Sequence, residues 1–329
     1  MDRSSGTQPG CLIVVNFHHV RAEPDPEFPH LHGLSLSQFQ RQLDALGREF
    51  ELIAPADLER AILDEAPLPA RACLLTFDDG LRDHYEVVLP ELRRRGLRAA
   101  FFVCTQPLVE RILLSVHRAH LLSGKFGYLE LWDELLQAAG SLGVAGPEDT
   151  CLRRAPLQYR YDDPETARVK YYLNFQLDPE QRCAVLRKVF RSRFGEEAWF
   201  VDRHYASAAQ LQELHAAGMA IGLHSHRHLP LAAVPDAVMR ADLAENAARL
   251  HDLLGVRPRW ISYPYGGPDA WSTSVQRAAR DMGLVGGFTM TRQVNRMPLA
   301  PLAIGRLDTN DAPGGKQPMH WERLVCESV

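Results

Sequence analysis

The sequence contains no long uninterrupted apolar run, and this absence excludes a membrane-spanning helix, which needs about 18 apolar residues. It also lacks an excess of basic residues, because 37 Lys and Arg stand against 41 Asp and Glu and give a formal net charge of −4. Such a chain has little electrostatic attraction for a phosphate backbone or an anionic lipid surface. We therefore expect neither a nucleic-acid partner nor a membrane partner.

No regular cysteine spacing and no signal-peptide pattern are visible in the sequence either. None of the six cysteines has the close, regular spacing of a metal knuckle or a disulfide framework. The first ten residues are polar and contain no basic segment followed by an apolar stretch. These features predict reduced thiols and a cytoplasmic protein.

Apolar runs that are typical of buried strands alternate with amphipathic stretches along most of the chain. Capping-box patterns begin two of the predicted helices, at Ser37-Gln38-Phe39-Gln40 and at Ser207-Ala208-Ala209-Gln210. This alternation predicts an α/β fold with a parallel sheet, either open or closed into a barrel. The predicted strands cover residues 11–17, 52–53, 72–77, 99–104, 219–223, 260–263, 284–289 and 303–307.

Residues 107–205 interrupt the alternation, because no strand-like run occurs there. Apolar residues instead recur at helical spacing, as in Leu131, Leu135 and Leu136. We expect one domain over residues 1–329 that carries a large, mostly helical insertion over residues 107–205. Long insertions often act as lids or partner surfaces, although a surface elaboration without a functional role is the alternative.

Two polar segments each follow a strand-like run. They are Thr76-Phe77-Asp78-Asp79-Gly80 and His224-Ser225-His226-Arg227-His228. The spacing of the outer histidines suggests one helical turn, with both imidazoles facing one point. One carboxylate and two imidazoles form a common divalent-metal set, which leaves the second carboxylate available as a base.

Each segment alone also fits a structural interpretation, as solvated turn carboxylates or as surface or core histidines. Both segments are predicted at the carboxyl ends of parallel strands, however, where the sites of α/β proteins form. Their coincidence at one edge of the sheet favours a metal site.

Together with Ser262-Tyr263-Pro264-Tyr265-Gly266, the two segments resemble the ordered motifs of the NodB-type polysaccharide deacetylases, carbohydrate esterase family 4. The resemblance covers the chain apart from the insertion. It implies a distorted (β/α) barrel with one divalent metal at its mouth, and hydrolysis of N-acetyl groups on amino sugars. By resemblance the metal is Zn²⁺, with Co²⁺, Ni²⁺, Fe²⁺ or Mn²⁺ as alternatives.

The resemblance also implies a role for each motif residue. Asp78 corresponds to the general base, and the Tyr265 backbone N–H corresponds to an oxyanion donor, with Pro264 and Tyr263 beside it at the substrate. The implied metal ligands are Asp79, His224 and His228.

The sequence departs from the family pattern at two places. Much of the family has an Arg two residues before the last motif proline, where this chain has Ser262. Arg306 is the predicted replacement, because it lies at the end of a late predicted strand on the same edge.

The second departure is the missing late Leu-x-His motif that supplies the general acid in the family. The N-terminal segment Phe17-His18-His19-Val20 resembles instead the opening of a circularly permuted branch, in which that histidine comes first. His18 is therefore the predicted acid. His19 and His320 are alternatives, and a histidine that merely packs at a strand end is the structural alternative.

The predicted function is that of a metal-dependent N-deacetylase, a hydrolase acting on a linear amide C–N bond. The missing export signal favours a small N-acylated sugar metabolite or an oligosaccharide as substrate. The alternatives are an amidohydrolase acting on a non-sugar amide and a catalytically inactive sugar-binding homologue. The sequence leaves a homo-oligomer open.

Overall fold

The structure is a computed structural model that describes residues 10–31, 33–159, 161–267 and 270–319. The chain divides into two compact units. The barrel unit comprises the described residues of Met1–Ala22, Gly33–Leu108 and His204–Val329. The helical unit comprises those of Glu23–His32 and Val109–Arg203.

All the described strands belong to the barrel unit. A two-residue parallel pair, β2 with β3, stands apart, and the other strands form one sheet in the order β10-β1-β5-β6-β7-β8-β9, with β4 beside β5 and β11 beside β1. The strands are β1 Cys11–Phe17, β2 Val20–Arg21, β3 Leu34–Ser35, β4 Glu51–Leu52, β5 Arg71–Phe77, β6 Ala100–Val103, β7 Ala220–Leu223, β8 Trp260–Ser262, β9 Gly286–Phe288, β10 Asn295–Arg296 and β11 Leu307–Asp308.

The sheet curls until one late segment links its two ends. Ile304 forms a parallel bridge with Phe288 at the end of β9, and three residues later Leu307 pairs with Val15 of β1. The strands from β1 through β5 to β9 are parallel, so their carboxyl ends meet at one rim. The predicted distorted barrel of the deacetylase type is therefore confirmed.

Helices lie between the strands of the barrel unit and fill the helical unit. Single π-helical turns occur at His84–Val88 and Tyr172–Gln176, and 3₁₀ turns at Leu231–Ala233 and Pro301–Ala303. The α-helices are α1 Leu36–Glu49, α2 Pro55–Leu63, α3 Leu89–Arg95, α4 Gln106–Glu110, α5 Ser115–Phe126, α6 Tyr128–Ser141, α7 Thr150–Gln158, α8 Pro164–Tyr171, α9 Pro179–Phe194, α10 Ala198–His204, α11 Ala208–Ala216, α12 Asp236–Leu254 and α13 Thr273–Asp281.

The barrel core follows from strands that are buried on both faces. Every residue of β1 is buried, as are all but the first residue of β5. Inside this core Phe77 stacks on Phe17 and on Phe101, with ring centroids 5.1 and 4.8 Å apart. Because such strands have no solvated face, they appear in the sequence as continuous apolar runs.

The helical unit has its own core and its own buried ion pair. Arg118 on α5 makes two hydrogen bonds of 2.8 Å to the Glu197 carboxylate, which also accepts the Leu113 backbone N–H. Residues 23–31 join this unit, because the His30 N–H donates to the Gly124 carbonyl and Phe28 packs near Phe194. The predicted insertion, residues 107–205, does not include this early segment. The lid or partner role of the insertion stays a prediction.

Two local predictions were wrong. Helix α1 is capped by Ser35, which exchanges hydrogen bonds with Gln38, so the capping box begins two residues before the predicted one. The last predicted strand, residues 303–307, is replaced by the 3₁₀ turn and the short β11. The capping box formed by Ser207 and Gln210 is confirmed.

Among the helices that the structure describes, none combines the length and apolar character required to cross a membrane.

Candidate metal centre and active site

Three predicted ligands converge at the carboxyl ends of β5 and β7. Asp79 follows β5, and its Oδ1 lies 3.3 Å from His224 Nε2 and 3.5 Å from His228 Nε2. One ligand atom from each residue can be chosen such that all three lie within 4.8 Å of one another, and all three side chains are buried. Burying a carboxylate beside two imidazoles away from water is costly unless the groups share a partner or a charge.

The two histidines converge through a loop, so the prediction of a helical turn was wrong. Residues 224–230 are neither helix nor strand. The backbone reaches this shape because Ser225 and His228 both have positive φ, 63° and 56°. Of the six non-glycine residues with positive φ in the described chain, four belong to the site: these two, Asp79 and Tyr265. Backbone strain of this kind commonly concentrates at functional sites.

The donor set fits a divalent metal ion. His224 Nδ1 lies 2.7 Å from the Ser262 carbonyl oxygen and donates to it, which leaves Nε2 as the lone-pair donor facing Asp79. The His228 ring stands edge-on to His224, with centroids 4.9 Å apart. One carboxylate oxygen and imidazole nitrogens are the ligands that zinc and its neighbours in the first transition row accept.

The neighbouring carboxylate, Asp78, occupies a different environment. It is 2% exposed, and Arg306 binds it in a bidentate manner, with Nη1–Oδ1 and Nη2–Oδ2 distances of 2.9 and 2.7 Å. Burial by itself would raise the pKa of Asp78, but the charge and hydrogen bonds of Arg306 outweigh it and lower the pKa to about 2. Asp78 is therefore an ionised carboxylate held directly beside the three predicted ligands.

Arg306 is fixed by several acceptors. It reaches the predicted rim, but from the residue before β11 and not from the end of a strand. It is 1% exposed, and it donates to Asn16 Oδ1 at 2.9 Å and to the Thr289 carbonyl at 3.3 Å. Ser262, the residue at the usual Arg position, contacts both partners: its Oγ lies 3.1 Å from Asp78 Oδ2 and 2.8 Å from Arg306 Nη2.

The first strand brings His18 to the same rim. The parallel register pairs Phe17 with Phe77, so His18 follows β1 at the level where Asp78 follows β5. The Asp78 N–H donates to the Phe17 carbonyl at 3.0 Å, which ties the two strand ends together. His18 has an exposed side chain, as a residue that meets a substrate requires.

His19 is instead a buried, paired residue. It is 8% exposed, and its Nδ1 lies 3.2 Å from Asp83 Oδ2. His84, the residue after Asp83, has its Nε2 3.0 Å from the His18 carbonyl oxygen. Burial disfavours its charged form and lowers the pKa of His84 to about 4, so a neutral imidazole donates this hydrogen bond. The other alternative to His18 as the general acid, His320, lies outside the described residues.

The third motif forms the turn after β8. Tyr265 is half-buried with φ 63°, and its ring lies edge-on to His228, with centroids 4.8 Å apart. Gly266 follows with φ 57°, and a Cβ atom there would lie 2.6 Å from the Met290 backbone nitrogen. Pro264 is buried. The Tyr263 side chain points into the core, where its hydroxyl donates to the Leu302 carbonyl at 2.9 Å.

Sequence reasoning missed four polar residues that support the site. Asp83 and His84 hold the segment after β1, as described above. Asp242 and Asn246 project from α12 toward residues 224–227 and are 5% and 0% exposed. A sequence signal existed for this second pair, because the two polar residues lie four apart on the helix face that also carries Met239, Leu243 and Leu250.

Three comparisons place this geometry among known proteins. The family model described as polysaccharide deacetylase matches residues 65–139 and 163–287, more than half of the chain. Among curated proteins, none matches this sequence at a significant level.

Solved structures of low identity share the fold. IcaB from Ammonifex degensii is 20% identical with a TM-score of 0.55, over 91% of this chain and 92% of that one. The Streptococcus pyogenes deacetylase PplD, solved in complex with acetate, is 15% identical with a TM-score of 0.56, over 92% and 93%. The BpsB deacetylase domain from Bordetella bronchiseptica is 18% identical with a TM-score of 0.52, over 91% and 95%.

The family match covers the segments that carry Asp78, Asp79, His224 and His228. Assignment to the permuted branch within the family stays a prediction. On the strength of the family match, this chain belongs to the polysaccharide deacetylase family.

Proposed function

We propose that this protein is a metal-dependent hydrolase that removes the N-acetyl group from N-acetylated amino sugars. The observation that carries the proposal is the adjacent pair of carboxylates with separate partners: Asp78 is paired with Arg306, and Asp79 faces two imidazoles. A binding protein has no use for an ionised base beside a metal set. Family membership and the deacetylase names of two of the structural neighbours support the same reaction.

Asp79, His224 and His228 would hold the metal, with zinc as the first expectation. When bound, a divalent metal supplies Lewis acidity that polarises the acetyl carbonyl and stabilises negative charge on its oxygen. The protein orients one of these ligands through the Ser262 carbonyl. That carbonyl accepts a hydrogen bond from His224 Nδ1, so His224 Nε2 is the nitrogen available to the metal.

In the proposed reaction, Asp78 accepts a proton from the water molecule that attacks the acetyl carbon. Its pairing with Arg306 keeps the carboxylate ionised and aimed, so it is ready to act as a base. The Tyr265 backbone N–H, in the turn beside His228, would donate to the oxygen on which negative charge develops.

His18 is the proposed general acid. It would protonate the sugar nitrogen as the amide C–N bond breaks, because an amine anion is a very poor leaving group. Acetate and the free amino sugar are then released. The proposal prefers His18 to His19 because His18 is exposed at the rim, whereas His19 is buried against Asp83.

The reaction can be tested by measuring acetate release from N-acetylglucosamine, from its oligomers and from a polymer, with the purified protein before and after chelation. We expect release that is lost with the chelator and restored by zinc. Preference for a small sugar over a polymer stays a prediction, and rates across chain lengths decide it. No release from any N-acetylated sugar in any metal-loaded form would overturn the proposal.

Removal of both imidazole ligands should abolish metal uptake. We expect the wild-type protein to hold about one equivalent of divalent metal, and the His224→Ala/His228→Ala variant to hold almost none, because a site with one remaining carboxylate binds weakly. Elemental analysis after dialysis measures this. His251→Ala, an exposed histidine in the last turn of α12, is the control and should keep full occupancy.

Replacing the proposed base should separate catalysis from metal binding. We expect Asp78→Asn to keep the metal but to lose activity on the order of a hundredfold or more, because an amide cannot accept the proton. Metal content and acetate release are measured on the same preparation. Loss of metal from Asp78→Asn would instead make Asp78 a ligand.

The role of His18 can be tested through the leaving group. We expect His18→Ala to lose amide hydrolysis by about a hundredfold or more, while hydrolysis of an aryl acetate changes much less, because a phenolate leaves without a proton. His19→Ala is the matched control, since it removes the neighbouring imidazole. Equal losses of His18→Ala on both substrates would argue for a structural role.

A further inference from the structure

We propose that Asp242 and Asn246, on the buried face of α12, are positioning residues that fix the metal loop, His224–His228, and thereby set the affinity of the site for its metal. The inference deepens the proposed function and rests on it only for the metal. Neither residue contacts the three predicted ligand atoms. Both act through the backbone and through Ser225.

Asp242 collects the donors of the loop. Its Oδ1 accepts hydrogen bonds from Ser225 Oγ at 2.5 Å and from the His226 N–H at 2.8 Å. Its Oδ2 accepts the Arg227 N–H at 3.1 Å and lies 3.4 Å from Arg227 Nε. A carboxylate that is 5% exposed would be costly to bury without such donors, and here the loop supplies them.

Asn246 holds the start of the loop. Its Oδ1 accepts the His224 N–H at 3.0 Å, and its Nδ2 donates to the Val103 carbonyl and to Thr105 Oγ1, both at 3.0 Å. With both amide hydrogens and the oxygen engaged, only one orientation of the side chain satisfies all three contacts. Asn246 therefore connects the end of β6 to the backbone of His224.

Thr105 completes the network. Its Oγ1 accepts from Asn246 Nδ2 and shares a second hydrogen bond with His226 Nδ1, 2.9 Å away. The middle histidine of the motif, His226, is thus buried and turned toward the end of β6. Two α12 side chains and one threonine consequently fix the loop from its first residue to Arg227.

This support has a physical reason in the backbone of the loop. Ser225 and His228 lie in the left-handed region, which side chains with a Cβ rarely adopt unless the surroundings impose it. The Ser225 hydroxyl also accepts the Leu229 N–H at 3.0 Å, so Asp242 acts on the far end of the loop as well. Without these contacts the loop would relax, and the two imidazoles would no longer meet at Asp79.

Amide hydrogen exchange on the metal-free protein tests the positioning role independently of metal and activity. We expect Asp242→Asn to speed exchange at the His226 and Arg227 amides by about tenfold or more, and Asn246→Ala to do so at the His224 amide. Each variant serves as the control for the other. Glu245→Gln removes a charge from the exposed face of α12 and should change none of these amides.

Metal titration by calorimetry provides the second measurement. We expect Asp242→Asn and Asn246→Ala to weaken metal binding by about 10- to 100-fold, the usual cost of losing a residue that orients a ligand, while Glu245→Gln binds as the wild type does. Wild-type affinity in both variants, or unchanged exchange at the three amides, would overturn the inference.

The two proposals fail in different ways. If the wild-type protein binds no metal, the proposed function fails, and the exchange rates alone decide whether α12 fixes the loop. If the wild type binds metal and the variants bind it equally well, only the positioning role fails. Should Asp242→Asn not fold, Ser225→Ala replaces it, because it removes the contact to Asp242 and keeps both helix side chains.

Discussion

The ion pair between Asp78 and Arg306 connects the chemistry of the site to the closure of the barrel. Asp78 directly follows β5, the strand next to β1, and Arg306 lies in the segment that bridges β9 and β1. The carboxylate can be buried and ionised only because that segment returns to the rim. Leaving one partner of such a pair uncompensated typically costs about 3–5 kcal/mol, so the fold and the base depend on the same contact.

Adjacent carboxylates with different partners can have different roles. Asp78 and Asp79 are neighbours in sequence, yet extended backbone directs successive side chains to opposite sides, and the φ of 80° at Asp79 turns its carboxylate toward the histidines. Arg306 hydrogen-bonds to both oxygens of Asp78 and offsets its charge, which weakens that residue as a ligand but leaves lone pairs that can accept a proton. Asp79 instead faces the Nε2 atoms of His224 and His228, an arrangement that suits a metal.

Much of the fold could be predicted from the sequence because its strands are buried on both faces, and continuous apolar runs such as that of β1 reveal them. The grouping of Asp79 with His224 and His228 could be predicted from residue types, but its geometry could not. The 224–228 segment is a loop with positive φ values whose donors bond to acceptors 15 to 22 residues away, on Asp242 and Asn246. A spacing of four residues fits a helical turn equally well, so tertiary contacts decide between the two.

This chain has Ser262 where much of the family has an arginine, and the difference has a geometric explanation. A parallel barrel brings the carboxyl ends of its strands to one rim. A cation that pairs with Asp78 can therefore come from any strand or segment that reaches this rim. Here Arg306 comes from the closing segment, and Ser262 at the end of β8 hydrogen-bonds to both members of the pair. A serine at position 262 is small enough to leave room for the Arg306 guanidinium. An arginine at both positions would bring two buried cations to one carboxylate. The missing motif residue therefore gives no support to a catalytically inactive protein, because the contact that it would have made is present.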